Sequence, residues 1–92
     1  MITIVEITYK VPMSEVEAHT GAHREYLQSL LDKGTLLTSG PLSPRTGGII
    51  LLGLESLDEA WAVVREDPFF KNNIGDFSLR LWNPLFGAER LR

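Results

Sequence analysis

Seven consecutive residues, Gly48-Ile49-Ile50-Leu51-Leu52-Gly53-Leu54, carry no charged or hydrogen-bonding side chain. A strand turns alternate side chains to opposite faces, so a run that is apolar throughout is apolar on both faces. Such a strand belongs in the middle of a sheet with cover on each side.

The flanking segments supply one of those covers. Ile2 to Tyr9 is rich in β-branched residues and stops at Lys10-Val11-Pro12, which reads as a strand. One face carries Thr3, Val5, Ile7 and Tyr9, the other Ile2, Ile4, Glu6 and Thr8. Ser14 followed by Glu17 forms a capping-box pattern, and Val16, Thr20, His23, Leu27, Leu30 and Leu31 recur at helical spacing. With Asp32-Lys33-Gly34 as the stop, the pattern predicts a helix from about 14 to 33. Leu36 to Gly40 is a short strand closed by Gly40-Pro41, and the loop from Pro41 to Gly47 leads into the apolar run. Ser56-Leu57-Asp58-Glu59 repeats the capping box before a second stripe, Leu57, Ala60, Trp61 and Val64. That helix is expected to end near Glu66, because Pro68 disfavours helical geometry at Asp67. Phe77 to Trp82 is the last strand.

The order is β-α-β-β-α-β, the α+β, ferredoxin-like arrangement, with two helices on one face of a four-stranded antiparallel sheet. The other face then needs its own cover. A chain of 92 residues buries only about 60–65% of its unfolded surface. A second copy packed sheet to sheet answers both needs, so a homodimer is expected. Residues 1–92 read as one domain, with 84–92 as a tail. Its Pro84-Leu85-Phe86-Gly87 either crosses a partner subunit or frays.

Composition narrows the function. Nine Lys and Arg against twelve Asp and Glu give a net charge of −3, with no electrostatic footprint for nucleic acid or an anionic membrane. The absence of cysteine excludes disulfides, thiol nucleophiles, thiolate-held clusters and cysteine zinc sites. Neither a basic leader nor a long apolar stretch is read at the start, and a cytoplasmic location is expected. No phosphate loop, dinucleotide fingerprint or Gly-x-Ser-x-Gly occurs.

His23 stands where the sheet-facing stripe calls for an aliphatic residue. A buried imidazole needs a hydrogen-bond partner, and the same ring is the side chain best suited to proton transfer near neutral pH. A satisfied core histidine and a general acid/base are both open on the pattern alone. Asp67, in Asp67-Pro68-Phe69-Phe70, is either a carboxylate capping a turn or the group that orients an imidazole. His19 and His23 have the i, i+4 spacing of metal ligands, but the glutamate of the zinc-protease helix and a third ligand are missing, so no metal is expected. Ser39-Gly40-Pro41 and Thr46-Gly47-Gly48 are turn chemistry or backbone lining a pocket.

His23-Arg24-Glu25-Tyr26-Leu27, Gly34, Leu37-Thr38-Ser39-Gly40-Pro41, Gly47-Gly48-Ile49-Ile50 and Asp67-Pro68-Phe69, in that order, resemble the YCII-related family. The resemblance runs from Ile2 to about Pro84. It implies a dimeric α+β barrel, a fold shared with muconolactone isomerase. It also implies a small enzyme with a histidine–aspartate pair in a pocket; one member is a dehydrochlorinase acting on a chlorinated hydroxyquinol. Carried over, the catalytic pair is His23 and Asp67, with Ser39, Gly40 and Pro41 beside it and Phe69 excluding water. Many members have an arginine three residues before the histidine; this chain has Thr20 there, and Arg45 is the candidate to compensate. The implied chemistry is proton transfer on a small cyclic or aromatic substrate, of lyase or isomerase type, without a cofactor. The competing reading is a non-catalytic small-molecule-binding or assembly module.

Overall fold

The computed structural model describes residues 1–91. Its elements are β1 (Ile2–Tyr9), α1 (Met13–Asp32), β2 (Leu36–Pro41), β3 (Gly47–Leu52), α2 (Leu57–Val64), α3 (Pro68–Lys71), β4 (Gly75–Trp82) and a closing 3-10 turn, Ala88–Leu91. The four strands form one antiparallel sheet in the order β2-β3-β1-β4, the strand order of the split βαβ fold.

Register decides the two faces. Thr3 pairs with Leu52 and Leu81, Val5 with Ile50 and Leu79, and Ile7 with Gly48 and Phe77, so these side chains share the helix-covered face. Val5, Ile7, Ile50 and Leu52 are buried there against Val16 and Leu30 of α1, Ala60 and Val64 of α2, and Phe69 of α3. On the opposite face Ile4, Ile49 and Leu51 are half-buried and Trp82 is exposed. The all-apolar run thus forms a central strand with one face covered within the protomer. The run ends as a strand at Leu52, where Gly53 N–H turns to donate to Thr35 O at 2.8 Å.

Several local expectations change. Helix α1 begins at Met13 with Pro12 as its cap, and no side chain caps it. The Pro12 carbonyl accepts from the N–H groups of Glu15 and Val16, which puts Ser14 inside the first turn and leaves its capping box unformed. The stripe holds through Leu30, but Leu31, one position round the helix, is exposed, as is Leu57 at the start of α2. Pro41 pairs with Gly48 inside the ladder; β2 is an edge strand, where a missing N–H costs nothing. At α2 the cap does form, Ser56 Oγ accepting from Glu59 N–H at 3.3 Å. That helix closes at Val64, with Arg65 as C-cap. Tyr26 ties α1 to its end by donating its hydroxyl to Val63 O at 2.6 Å.

Candidate active site

The turn expected at Asp67-Pro68 is the start of α3, and the residue types explain it. Asp67 is extended, its carboxylate accepts from Phe69 N–H at 2.9 Å, and Pro68 occupies the first helical position, where its missing N–H is no loss. The same oxygen, Asp67 Oδ1, accepts from His23 Nδ1–H at 2.7 Å. A carboxylate is acceptor-only, so this contact fixes the proton of the neutral ring on Nδ1 and leaves the lone pair on Nε2. Asp67 is buried and the His23 side chain is 12% exposed. Among the described residues Nε2 has no hydrogen-bond partner, and no polar side-chain atom is both buried and unpartnered. That nitrogen is therefore the ring's open edge.

Phe69 packs flat on the imidazole, with centroids 3.9 Å apart and planes 2° from parallel, and Tyr9 meets Phe69 edge-on at 6.0 Å. One face of the imidazole is thereby closed to water by a ring whose own backbone N–H helps hold Asp67. Cap, carboxylate, imidazole and phenyl ring form a closed local unit.

His23 opens into a cavity of about 300 Å³ between α1, β1, β2, β3, α3 and the loop 42–46. Its wall brings together Ser39, Gly40, Pro41, Arg45 and Phe69 with His23, six of the seven residues expected at the site. The seventh, Asp67, lies behind the imidazole and does not reach the cavity. Its link to the cavity is the 2.7 Å contact to His23.

Arg24 and Tyr9, also in the wall, are additions that sequence periodicity misses. Arg24 is one step off the stripe, where a charged residue reads as a solvated face; its adjacency to His23 is the only available signal. Tyr9 shares the helix-covered face of β1 with Val5 and Ile7, where periodicity does not distinguish a cavity-lining aromatic from core. Thr20 lines the cavity too, but its hydroxyl donates to Val16 O at 2.7 Å, so that proton is committed within the helix. Beneath the site, burial pushes the Tyr26 hydroxyl above its usual range, helped by the nearby Asp67 and Glu66 carboxylates. Among the described residues no three side chains of His, Cys, Asp or Glu converge as metal ligands.

The relatives of this chain share its frame. It is 28% identical over 82 residues to the uncharacterised protein YjpA of Bacillus subtilis (strain 168), an overlap of 89% of this chain and 95% of that one. Among solved structures it is similar to 5-chloro-2-hydroxyhydroquinone dehydrochlorinase from Burkholderia phenoliruptrix AC1100, determined in complex with 2,5-dihydroxybenzoquinone. There the TM-score is 0.76 at 23% identity, over 90% of this chain and 94% of the other, a likeness of fold. The sequence matches the YCII-related domain across residues 1–83, nearly its whole length, and the chain belongs to that family.

Proposed function

We propose that the protein is a small, cofactor-independent enzyme, a cytoplasmic homodimer, that transfers a proton on a small cyclic or aromatic substrate with His23 as general acid/base. The observation that carries this is the 2.7 Å contact from Nδ1 to Asp67, with Nε2 open to the cavity. Geometry of this kind prepares the free nitrogen to accept a proton and the buried carboxylate to stabilise the resulting imidazolium. In an isomerisation Nε2 takes a proton from one atom of the substrate and returns it to another. In a dehydrochlorination the electron pair released by that proton moves to form a new double bond as chloride leaves with its own pair. The proton then passes from Nε2 to water. Phe69, flat on the ring, limits competing water. The family and the dehydrochlorinase of similar fold support the substrate class. The half-buried Ile4, Ile49 and Leu51 support a sheet-to-sheet dimer.

The test is chloride release from 5-chloro-2-hydroxyhydroquinone, and double-bond migration in a panel of small cyclic enols and lactones. Wild type is compared with His23→Gln and Asp67→Asn, folding being checked by circular dichroism. Turnover by wild type, lowered about 10²- to 10⁴-fold in His23→Gln, is the expected result. Undiminished turnover in folded His23→Gln would overturn it. The non-catalytic binding reading draws on the second bond of Asp67, its cap on α3. Under that reading ligands bind, none is converted, and the pair contributes only stability.

A further inference from the structure

The cavity wall has a charge pattern unlike the rest of the chain. The protein as a whole is acidic at −3, yet the wall holds Arg24 and Arg45 and no carboxylate. The nearest acid, Asp67, is buried with its Oδ1 committed to His23 and to the Phe69 N–H. Elsewhere Lys10 pairs with Asp76, Lys71 with Glu66 and Arg80 with Glu6, and Arg65 lies over the Trp61 ring, while Lys33 and Arg90, which do not line this cavity, also lack an acidic partner among the described residues. Among the described residues Arg24 and Arg45 have no acidic partner. They come from two separate elements, Arg24 from α1 next to His23 and Arg45 from the loop between β2 and β3. Both are exposed, which sets them toward the mouth. The interior wall, by contrast, is apolar, with Ile7, Ile50 and Phe69.

We infer that the substrate is a small organic carboxylate, its carboxylate group held at the mouth by Arg24 and Arg45 while its reacting atom faces His23 Nε2. Guanidinium groups present planar pairs of donors that match a carboxylate, and two of them over an acid-free wall favour an anion over its neutral isostere. A volume near 300 Å³ is at the small end of ligand pockets, enough for one ring or a short chain bearing the acid group. This assignment rests on the proton-transfer reading for its cavity and its reacting nitrogen, but it is testable by binding alone.

The experiment is an NMR titration of the full chain with benzoate against benzamide, and cyclohexanecarboxylate against its carboxamide, following backbone and His23 ring signals. At least one acid is expected to bind about tenfold or more tightly than its amide at low salt, a preference that shrinks as ionic strength rises. Arg24→Gln and Arg45→Gln each weaken the acid about tenfold and leave the amide unchanged. His23→Gln keeps the preference, since it leaves both arginines in place. The assignment is overturned if neither acid outbinds its amide, or if the preference persists in the Arg24→Gln/Arg45→Gln double variant. Failure of the proton-transfer reading looks different: the acid preference stands in wild type and in His23→Gln, and no turnover is found in either.

Discussion

The bond between His23 and Asp67 makes a quantitative demand. Asp67 Oδ1 accepts both from His23 Nδ1–H and from the N–H that starts α3. Replacing Asp67 by Ala removes a helix cap worth about 1 kcal/mol. It also removes a hydrogen bond to a charged acceptor worth about 1.5–3 kcal/mol. Because both act through one oxygen they are not fully additive, and the expected loss is about 3 kcal/mol. For a chain this short, that lowers the midpoint of thermal unfolding by roughly 12–24 °C. Asp67→Asn keeps an oxygen for the Phe69 N–H and loses the charge, so about half that loss is expected.

A double-mutant cycle isolates the pair. His23→Ala also loses the stack on Phe69, at 3.9 Å, but that loss occurs in both arms that change His23 and cancels. The coupling left over is expected at about 2 kcal/mol. Urea unfolding of the four proteins, at one protomer concentration to hold any association constant, measures it. A coupling below about 0.5 kcal/mol would refute the bond as a stabilising contact, and with it the claim that Asp67 fixes the imidazole.

Other consequences can be checked with single substitutions. A Cβ at Gly47 would meet Ile7 O at 1.8 Å, so Gly47→Ala is expected to break the β1–β3 ladder and sharply lower the unfolding midpoint. A near-wild-type midpoint would contradict that register. Gly21, inside α1 with nothing within 4 Å of an added Cβ, is the opposite case: Gly21→Ala should gain about 0.8–1 kcal/mol in a melt. The raised Tyr26 value means that the folded state holds that proton more tightly than the unfolded state. Its contribution is therefore complete below the ordinary value of about 10 and is lost as pH climbs from there through the folded value. Tyr26→Phe should lack that part of the alkaline decline in stability; parallel curves for the two proteins would refute it. If the uncovered sheet face joins two copies, Leu51→Lys shifts sedimentation from dimer to monomer, and an unchanged profile counts against that face.

The fold was legible where burial leaves a period. The alternating pattern of Ile2 to Tyr9, the two-faced apolar run and the helical stripe of Val16, Thr20, His23 and Leu27 mark the sheet and its cover. Ends were less legible because they depend on local hydrogen bonding that residue types only suggest. Ser14 and Ser56 stand in the same pattern, yet only Ser56 caps, because α1 starts early, at Met13 on Pro12, and Ser14 is already inside the helix. Helix α3, four residues long, is too short to show any period. For the site, His23 was visible as a polar residue on an apolar stripe, whereas Arg24 was hidden by its ordinary polar surroundings. Its meaning comes from Arg45, which lies 21 positions later and meets the same cavity only through folding.

Two readings of Asp67, a capping residue and the partner of an imidazole, compete on the sequence and coincide in the structure. One oxygen does both, and the coincidence has a physical use. The cap fixes that oxygen relative to the backbone of α3, with Pro68 restricting the chain beside it. The ring of Phe69, two residues on, is then placed flat against the imidazole. Position and orientation of His23 are thus set by a short backbone segment as well as by a flexible side chain. A substitution that unwinds α3 without touching Asp67 should disturb the imidazole all the same. Phe69→Gly tests this, since it keeps the acceptor, removes the stacked ring and weakens the helix. The His23 ring nitrogens, read by NMR, should then lose the fixed Nδ1–H form and show a mixture of tautomers. Retention of a single tautomer would mean that the carboxylate alone orients the ring and that α3 merely carries it.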